Sequence, residues 1–352
     1  MNTEFWRQRR VFITGHTGFK GGWLALWLAE LGVKVHGYAL EPPTTPNLFT
    51  VAHLADCLSG HIIDDVRDSI ALHQAILTAA PEIVFHLAAQ PLVRIAHADP
   101  VATYATNVMG TVHLLEAVRQ CPSVRAVVVV TTDKCYDNRE WVWPYRENDP
   151  LGGHDPYSSS KAAVELVTQA YRSAFLTEAG IQIASARAGN VIGGGDWARD
   201  RLVPDVLRAL DVGEAVCLRA PHAIRPWQHV LEALAGYLSL AERLHVQEVE
   251  MATAWNFGPD PADAWPVEQV VRWLCERTQG RWESDPDPGH PRESLLLNLD
   301  STQARTRLGW CPRWSLERAL EQTLAWHRAW RAGADMRVVT RQQIRDYQAI
   351  LS

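Results

Sequence analysis

Arg10-Val-Phe-Ile-Thr14 runs directly into Gly15-His16-Thr17-Gly18-Phe19-Lys20-Gly21, and residues 21–31 then place apolar side chains at helical spacing. The order is strand, glycine turn, helix. In such a turn the glycines let the backbone come close to a pyrophosphate at the positive end of a helix. Gly15, His16, Thr17, Gly18, Phe19 and Gly21 are therefore candidates for holding a dinucleotide. Glycines also make ordinary strand-to-helix turns, so the segments on either side decide between the two readings.

Working outward, an apolar run at 33–40 precedes a turn-rich stretch at 41–46. Strand-like runs follow at 61–66, 83–87, 126–131 and 181–186, and helical periodicity predicts helices over 70–79, 104–120 and 159–176. Continuous apolar strands alternating with helices indicate a parallel sheet covered on both faces. The expected fold class is therefore α/β, a Rossmann-type doubly wound parallel sheet. Beyond Gly193, loops rich in Gly, Pro and Trp separate shorter helices at 202–210, 230–244, 267–278 and 315–330. The expected organisation is a dinucleotide-binding domain over 1–190 and a smaller, mainly helical C-terminal substrate lobe over 191–352. Segments of the latter, about 225–260, thread back into the first domain. The Pro- and Gly-rich acidic stretch 281–290 reads as a surface loop.

Composition narrows the partners. The 352 residues are 47% hydrophobic and 21% charged, with 34 Lys and Arg against 40 Asp and Glu, a net charge of -6. No basic footprint for nucleic acid or an anionic membrane follows from that balance. The stretch after Met1 is too short and too broken by Gly15 to read as a membrane span or a leader, which predicts a cytoplasmic protein. Six cysteines lack CxxC pairs or zinc spacing, so neither a disulfide framework nor a metal site is expected. The 15 tryptophans are read mainly as packing residues.

Several residues suggest chemistry. Asp65 and Val66, at the end of the third strand, are placed to meet an adenine through a carboxylate and a backbone amide. Dinucleotide folds commonly carry an acid at the end of the second strand, about 20 residues beyond the glycines, for the ribose hydroxyls. Ala39 stands there, with Glu41 the nearest acid. Tyr157-Ser-Ser-Ser-Lys161 puts a phenol and an ammonium on one helix face, where a cation lowers the pKa of the phenol and makes it a usable base. Thr131-Thr132-Asp133-Lys134-Cys135-Tyr136 follows the fifth strand at its carboxyl end, where open α/β sheets bind ligands. The bland reading of Asp133 and Lys134 is a surface-turn salt bridge.

Together, TGHTGFKGGWL, FHLAAQPLVR, Asn107-Val-Met-Gly110-Thr111, TTDKCY, YSSSK, Arg187-Ala-Gly-Asn190-Val-Ile-Gly193 and RPWQHVLEAL resemble the extended short-chain dehydrogenase/reductases, specifically their nucleotide-sugar 4,6-dehydratases. GFKGGWL, YALEPPTTPNLF, TTDKCYDN and RPWQHVLE are most similar to the branch acting on CDP-glucose. The resemblance implies NAD as cofactor, held also by Leu87, Ala88, Ala89 and Asn107 along with Tyr157 and Lys161. CDP-glucose is the implied substrate and the 4-keto-6-deoxy sugar nucleotide the product, early on a route to 3,6-dideoxyhexoses of bacterial surface polysaccharide. In the implied cycle Tyr157 takes the C4 hydroxyl proton, Thr132 holds the C4 oxygen, and Lys161 bonds the nicotinamide ribose and depresses the phenol. Asp133 is the elimination acid, and Lys134 stands where relatives place a Glu base. A solvated Lys is about 10³-fold protonated at neutral pH, so Lys134 is either a desolvated base or an electrostatic clamp on the enolate. Arg225, with Asn190 near it, is the candidate for the diphosphate. Trp227 and His229 are packing or cytosine-edge residues, and no sugar contact is carried over to residues 291–294. The implied partner is a second copy of the chain, a homodimer joined through helices 104–120 and 159–176 in a four-helix packing. Competing readings are a nucleotide-sugar 4-epimerase, which needs no elimination acid, and a non-catalytic dinucleotide-binding regulator.

Overall fold

The computed structural model describes residues 2–218, 220–284 and 296–351. The first six strands are β1 (Arg10–Thr14), β2 (Lys34–Ala39), β3 (Gly60–Ile63), β4 (Ile83–His86), β5 (Ala126–Val130) and β6 (Gln182–Ala188). There follow β7 (Asn190–Ile192), β8 (Val216–Leu218), β9 (Ile224–His229), β10 (Ala254–Phe257), β11 (Ala264–Pro266) and β12 (Trp282–Ser284). The central sheet runs β10-β6-β5-β4-β1-β2-β3, parallel throughout. Strand order reverses between β1 and β4, and doubly wound sheets open their ligand crevice at such a reversal, outside the carboxyl ends of the strands.

The valine run of β5 shows why the strands carry no polar alternation. Val128 and Val130 join one apolar core with Trp23, Trp27 and Leu234, while Val127 and Val129 join the opposite core with Leu72, Leu115 and Val164. Both faces are dry, so every position favours a β-branched apolar side chain.

Helix starts follow local capping. The Asp155 carboxylate accepts from the Tyr157 and Ser158 amides with Pro156 in the first turn, so the helix spans Pro156–Tyr171 and begins earlier than periodicity alone places it. The expected single helix over 104–120 is instead Pro100–Tyr104, a π turn Ala105–Met109 and Gly110–Arg119. A second π turn, Arg172–Leu176, closes helix Pro156–Tyr171. Most tryptophans are packing residues, Trp6, Trp23, Trp27, Trp255 and Trp326 among those with no accessible surface, but Trp143 is 57% exposed.

A smaller layer holds β7, β9 and β11, with helices Leu202–Val212, Val267–Thr278 and Leu316–Arg331 sharing a third apolar cluster. Helix Val230–His245, by contrast, packs its Leu231, Leu234 and Leu238 into the core of the central sheet, and β10 extends that sheet beside β6. Residues 282–284 of the stretch read as a loop pair with β8, and 285–290, with 291–294, lie outside the described residues. The helix Met336–Leu351, without a signal in the reading above, lies on Phe19–Glu30: Tyr347 packs edge-on against Trp27 at 5.7 Å, and Glu30 forms ion pairs with Arg341 and Arg345, each at 2.8 Å. Among the described residues no helix is long and apolar enough to cross a membrane.

Candidate active site

The glycine turn is built for close approach. Gly15 has φ +81°, and a Cβ there would lie 2.8 Å from the Ala88 amide nitrogen. One on Gly21 would lie 2.1 Å from the Gly15 carbonyl oxygen. Gly18 caps helix Phe19–Glu30 without a side-chain acceptor, which leaves the positive end of the helix to another anion. Thr17 donates to the Leu40 carbonyl at 2.8 Å. His16 is buried against Phe49 and His61, in space that the bare Gly37 provides, and burial with His61 beside it pushes its pKa down to about 4.

A continuous polar chain frames the crevice. Thr14 Oγ1 lies 2.7 Å from His86 Nδ1, His86 Nε2 lies 3.0 Å from Thr111 Oγ1, and Thr111 donates to the Asn107 carbonyl at 2.7 Å. That last donation makes Thr111 the acceptor for His86 Nε2–H, which leaves Nδ1 to accept from Thr14. Burial holds His86 neutral, its pKa down to about 3. The Leu87 and Ala88 amides both donate to Thr14 Oγ1 at 3.2 Å. Ala89 continues this loop, half-buried, and Asn107, buried in the π turn, accepts from the Gln90 amide at 2.8 Å and donates to Ser160 Oγ at 2.9 Å. The loop after β4 is thus tied to the helix of Tyr157. At the far end, Asp65 accepts from the Arg67 amide and Nε at 2.9 and 2.8 Å, while the buried Val66 offers its carbonyl to His113 Nδ1. Ala39 is buried and supplies no carboxylate, and Glu41 is exposed.

Beyond β5, Thr132 caps the short turn Asp133–Cys135 by accepting from the Lys134 amide at 3.3 Å and donates to Asp133 Oδ1 at 2.8 Å. Asp133 is only 3% exposed, so the pair Asp133-Lys134 is no surface turn. Burial raises the Asp133 carboxyl above its ordinary range, against the opposing pull of Thr132, Lys134 and Arg225. The second lobe closes on it: Pro226 and Asp133 crowd the bare face of Gly189, and Asn190 of β7 stands opposite Trp227 of β9, two residues past Arg225. Asn190, Arg225, Asp133 and Thr132 therefore converge at one end of the sheet.

Tyr157 is buried one residue inside its helix. Burial pushes its phenol up to about 12, Thr132 and Arg201 pull it down, and Asp133 pushes it up. The sequence reading gave the depression of the phenol to Lys161. In the structure the cation that lowers it is Arg201, while Lys161 Nζ donates to the Val130 carbonyl at 3.4 Å and is itself pushed down to about 8 by burial. Arg201 is held by Asp196 at 2.7 Å in the loop before helix Leu202–Val212, and only the tertiary fold brings it here. Lys20 was also missed, although it stands inside the glycine motif. It faces Arg201, Lys161 and Asp133, and burial lowers its pKa to about 8. Trp227 and His229 resolve as packing residues: Trp227 Nε1 donates to the Trp265 carbonyl at 3.1 Å, and the fully buried His229 sits between Trp23 and Trp314. Among the described residues no group of three or more His, Cys, Asp or Glu side chains is placed to hold a metal.

The site thus sets a buried phenol, a buried acid and several cations at the mouth of a dinucleotide cradle, a combination suited to moving protons on an anionic substrate. Comparison with known proteins agrees. The family model described as GDP-mannose 4,6 dehydratase matches residues 12–323. The CDP-glucose 4,6-dehydratase of Salmonella typhimurium is 51% identical over 99% of both chains. A dTDP-glucose 4,6-dehydratase of Xanthomonas campestris pv. campestris is 26% identical over 90% of this chain and 92% of its own. In fold, the crystal structure of dTDP-glucose 4,6-dehydratase from Bacillus anthracis in complex with NAD superposes with a TM-score of 0.77 at 20% identity, covering 91% of this chain and 96% of that one. With the glycine cradle, the Tyr157 and Lys161 pair, the half-buried Thr132 and the buried Asp133 at the carboxyl end of one sheet, the chain belongs to the nucleotide-sugar 4,6-dehydratases of the extended short-chain dehydrogenase/reductases.

Proposed function

We propose that this chain is a hydro-lyase that uses NAD to convert CDP-D-glucose to CDP-4-keto-6-deoxy-D-glucose and water. The observation that carries the reading is the buried Asp133, its carboxyl raised, hydrogen-bonded to Thr132 near Tyr157 and facing Arg225. The cradle fits a dinucleotide, since a Cβ on Gly15 or Gly21 would fill it. Gly15 to Phe19 and Gly21 would hold the pyrophosphate, Asp65 and Val66 the adenine, and Leu87, Ala88, Ala89, Asn107 and Lys161 the nicotinamide half. NAD bound there supplies the acceptor for hydride from C4 and the donor that returns it to C6.

The chain's own groups do the proton work. Tyr157 takes the C4 hydroxyl proton, and the charge of Arg201 favours the phenolate. Thr132 orients the C4 oxygen. Once C4 is a ketone the C5 proton is acidic, and Lys134 removes it as a base or clamps the enolate while another group does so. Asp133, whose carboxyl is raised by burial, protonates the departing C6 hydroxyl. Arg225, with Asn190, binds the diphosphate. The finer reading also includes residues 1–190 as the cofactor domain with about 225–260 returned to it, 191–352 as the sugar-nucleotide lobe, a cytoplasmic location, and a place on a route to 3,6-dideoxyhexoses of surface polysaccharide. A homodimer through the two helix pairs is supported by the exposure of Val101, Met109, Leu166 and Phe175 along them.

A 4-epimerase would need Tyr157 and Lys161 but no elimination acid, and the buried Asp133 counts against it. Incubation with CDP-glucose and NAD should give a product lighter by one water with the alkali-labile chromophore of a 4-keto sugar. dTDP-, UDP- and GDP-glucose should be turned over poorly. A product of unchanged mass, epimerised at C4, would overturn the reading.

A further inference from the structure

Behind the reacting groups lies a layer of charge that the mechanism above does not use. Glu165 is one helical turn beyond Lys161 and two beyond Tyr157 on the same helix face. It is buried, and so is its partner Arg187 on β6, whose Nη2 donates to Glu165 Oε2 at 2.8 Å. Glu165 also accepts from Thr131 Oγ1 and from Ser185 Oγ. Arg187 Nη1 in turn donates to Tyr136 Oη at 2.7 Å and to the Glu147 carbonyl at 3.0 Å, and Tyr136 Oη donates to Asn256 Oδ1 at 2.8 Å. The network therefore joins β5, β6, β10 and the Thr132–Tyr136 loop. Thr131 sits between Val130, whose carbonyl receives Lys161 Nζ, and Thr132.

We propose that the Glu165–Arg187 pair is the positioning element beneath the dehydratase site: Glu165 supplies the negative charge that keeps Lys161 an ammonium in dry surroundings, and through Thr131 it fixes the end of β5 that carries Thr132. The charged and titratable groups around Lys161 are Tyr157 and Glu165 on its own helix, Cys135 after β5, His86 at the end of β4 and Lys20 in the glycine turn. His86 is neutral and Lys20 is a like charge, so Glu165 is the fixed anion of that set. Burial alone pushes the Glu165 carboxyl up, but Arg187, Ser185 and Thr131 more than reverse it and hold it ionised. Opposite charge of this kind favours the ammonium that burial opposes in Lys161.

The assignment rests on Lys161 belonging to the proposed dehydratase site, but its test needs neither substrate nor cofactor. In protein labelled with ¹³Cε-lysine, the Lys161 resonance is identified by its loss in Lys161→Arg and titrated by NMR. The wild-type midpoint should lie near pH 8. In Glu165→Gln it should fall by about one pH unit or more, and Glu165→Asp, which keeps the charge, should recover most of the difference. The pair lines a polar cavity of about 320 Å³, so water can relax around Arg187 in the single variant. If that variant does not fold, Glu165→Leu/Arg187→Met replaces both ions by apolar groups, a change buried pairs commonly tolerate. It should show the same downward shift. An unchanged midpoint in a folded variant of either kind overturns the proposal even if the enzyme turns CDP-glucose over, whereas the shift in a protein without dehydratase activity would leave it standing and count against the proposed function instead.

Discussion

Two buried carboxylates near the end of β5 meet opposite fates. Asp133 accepts from the Thr132 hydroxyl, but burial outweighs that bond and the pull of Lys134 and Arg225, so its carboxyl is raised. Glu165 is equally dry but has Arg187 at 2.8 Å and two hydroxyls, and its carboxyl is lowered. The difference teaches that burial does not set the charge of an acid; the number and sign of the groups bonded to it do. One carboxyl is thereby prepared to carry a proton and the other to stay an anion.

The comparison breaks most severely at Tyr157, the group that Asp133 pushes up and Arg201 pulls down. Tyr157→Phe should lose turnover by about 10³-fold or more, at the strong end of acid-base contributions, while CDP-glucose affinity measured by calorimetry stays within a few-fold. Reduced nicotinamide appearing in a single turnover of that variant would remove the phenol from the oxidation. Asp133→Asn keeps the shape and removes the acid, and should slow product formation by about 10²- to 10³-fold while C4 oxidation still proceeds. Wild-type product rates would mean that the contrast between the two carboxylates carries no chemistry. Lys134→Met should likewise permit oxidation but abolish exchange of the C5 proton with D₂O if Lys134 is the base, and only slow that exchange if it is a clamp.

At the adenosine end the comparison extends to a carboxylate that is lacking. With Ala39 at the end of β2, a charged hydrogen bond worth about 1.5–3 kcal/mol is forfeited, so NAD affinity should be roughly 10- to 100-fold weaker than with an acid there. Adding NAD to dialysed protein should raise activity, and retention of stoichiometric cofactor through dialysis would contradict this.

The smallest effect concerns a third buried carboxyl. Glu232 accepts from the Trp314 and Arg313 amides and from Tyr347 Oη, and burial raises it from 4.5 to about 7. Between those values the folded chain keeps a proton that the unfolded chain has released, so this contribution to stability falls as pH rises through that window. Glu232→Gln cannot ionise. The stability of the variant relative to wild type should improve by roughly 2 kcal/mol on going from pH 4.5 to pH 7, read from urea melts at both pH values. A constant difference would mean that Glu232 titrates alike in the folded and unfolded chains.

Legibility followed sequence distance. The glycine turn, the Tyr157 and Lys161 spacing and Thr132-Asp133 each lie within one short segment, where periodicity and position after a strand suffice to expose them. Glu165 was visible on the same grounds, one more turn along the helix of Tyr157, but a lone acid in a helix carries no signal until Arg187 is known to lie opposite. Arg201 and helix Met336–Leu351 reach their places only through long-range packing. The π turns escaped because Asn107 and Arg172 sit in stretches whose apolar spacing differs little from that of an α-helix. His229 had no local feature to separate a packing imidazole from a base-reading one; its burial between Trp23 and Trp314 decided it.

The seat of helix Met336–Leu351 has a consequence for synthesis. The helix that opens the nucleotide cradle is covered by side chains made far later, Arg345 reaching Glu30 across a separation of 315 residues. The edge strand β10 also arrives long after β1 to β5. A ribosome that has produced only β1 to β5 has therefore made a sheet whose β5 edge still lacks β6 and a helix whose Trp27 face is still wet. The helix that opens the cradle therefore gains its full cover only once Met336–Leu351 is made, and cleavage before Met336 should loosen the cofactor site as well as the C-terminal layer.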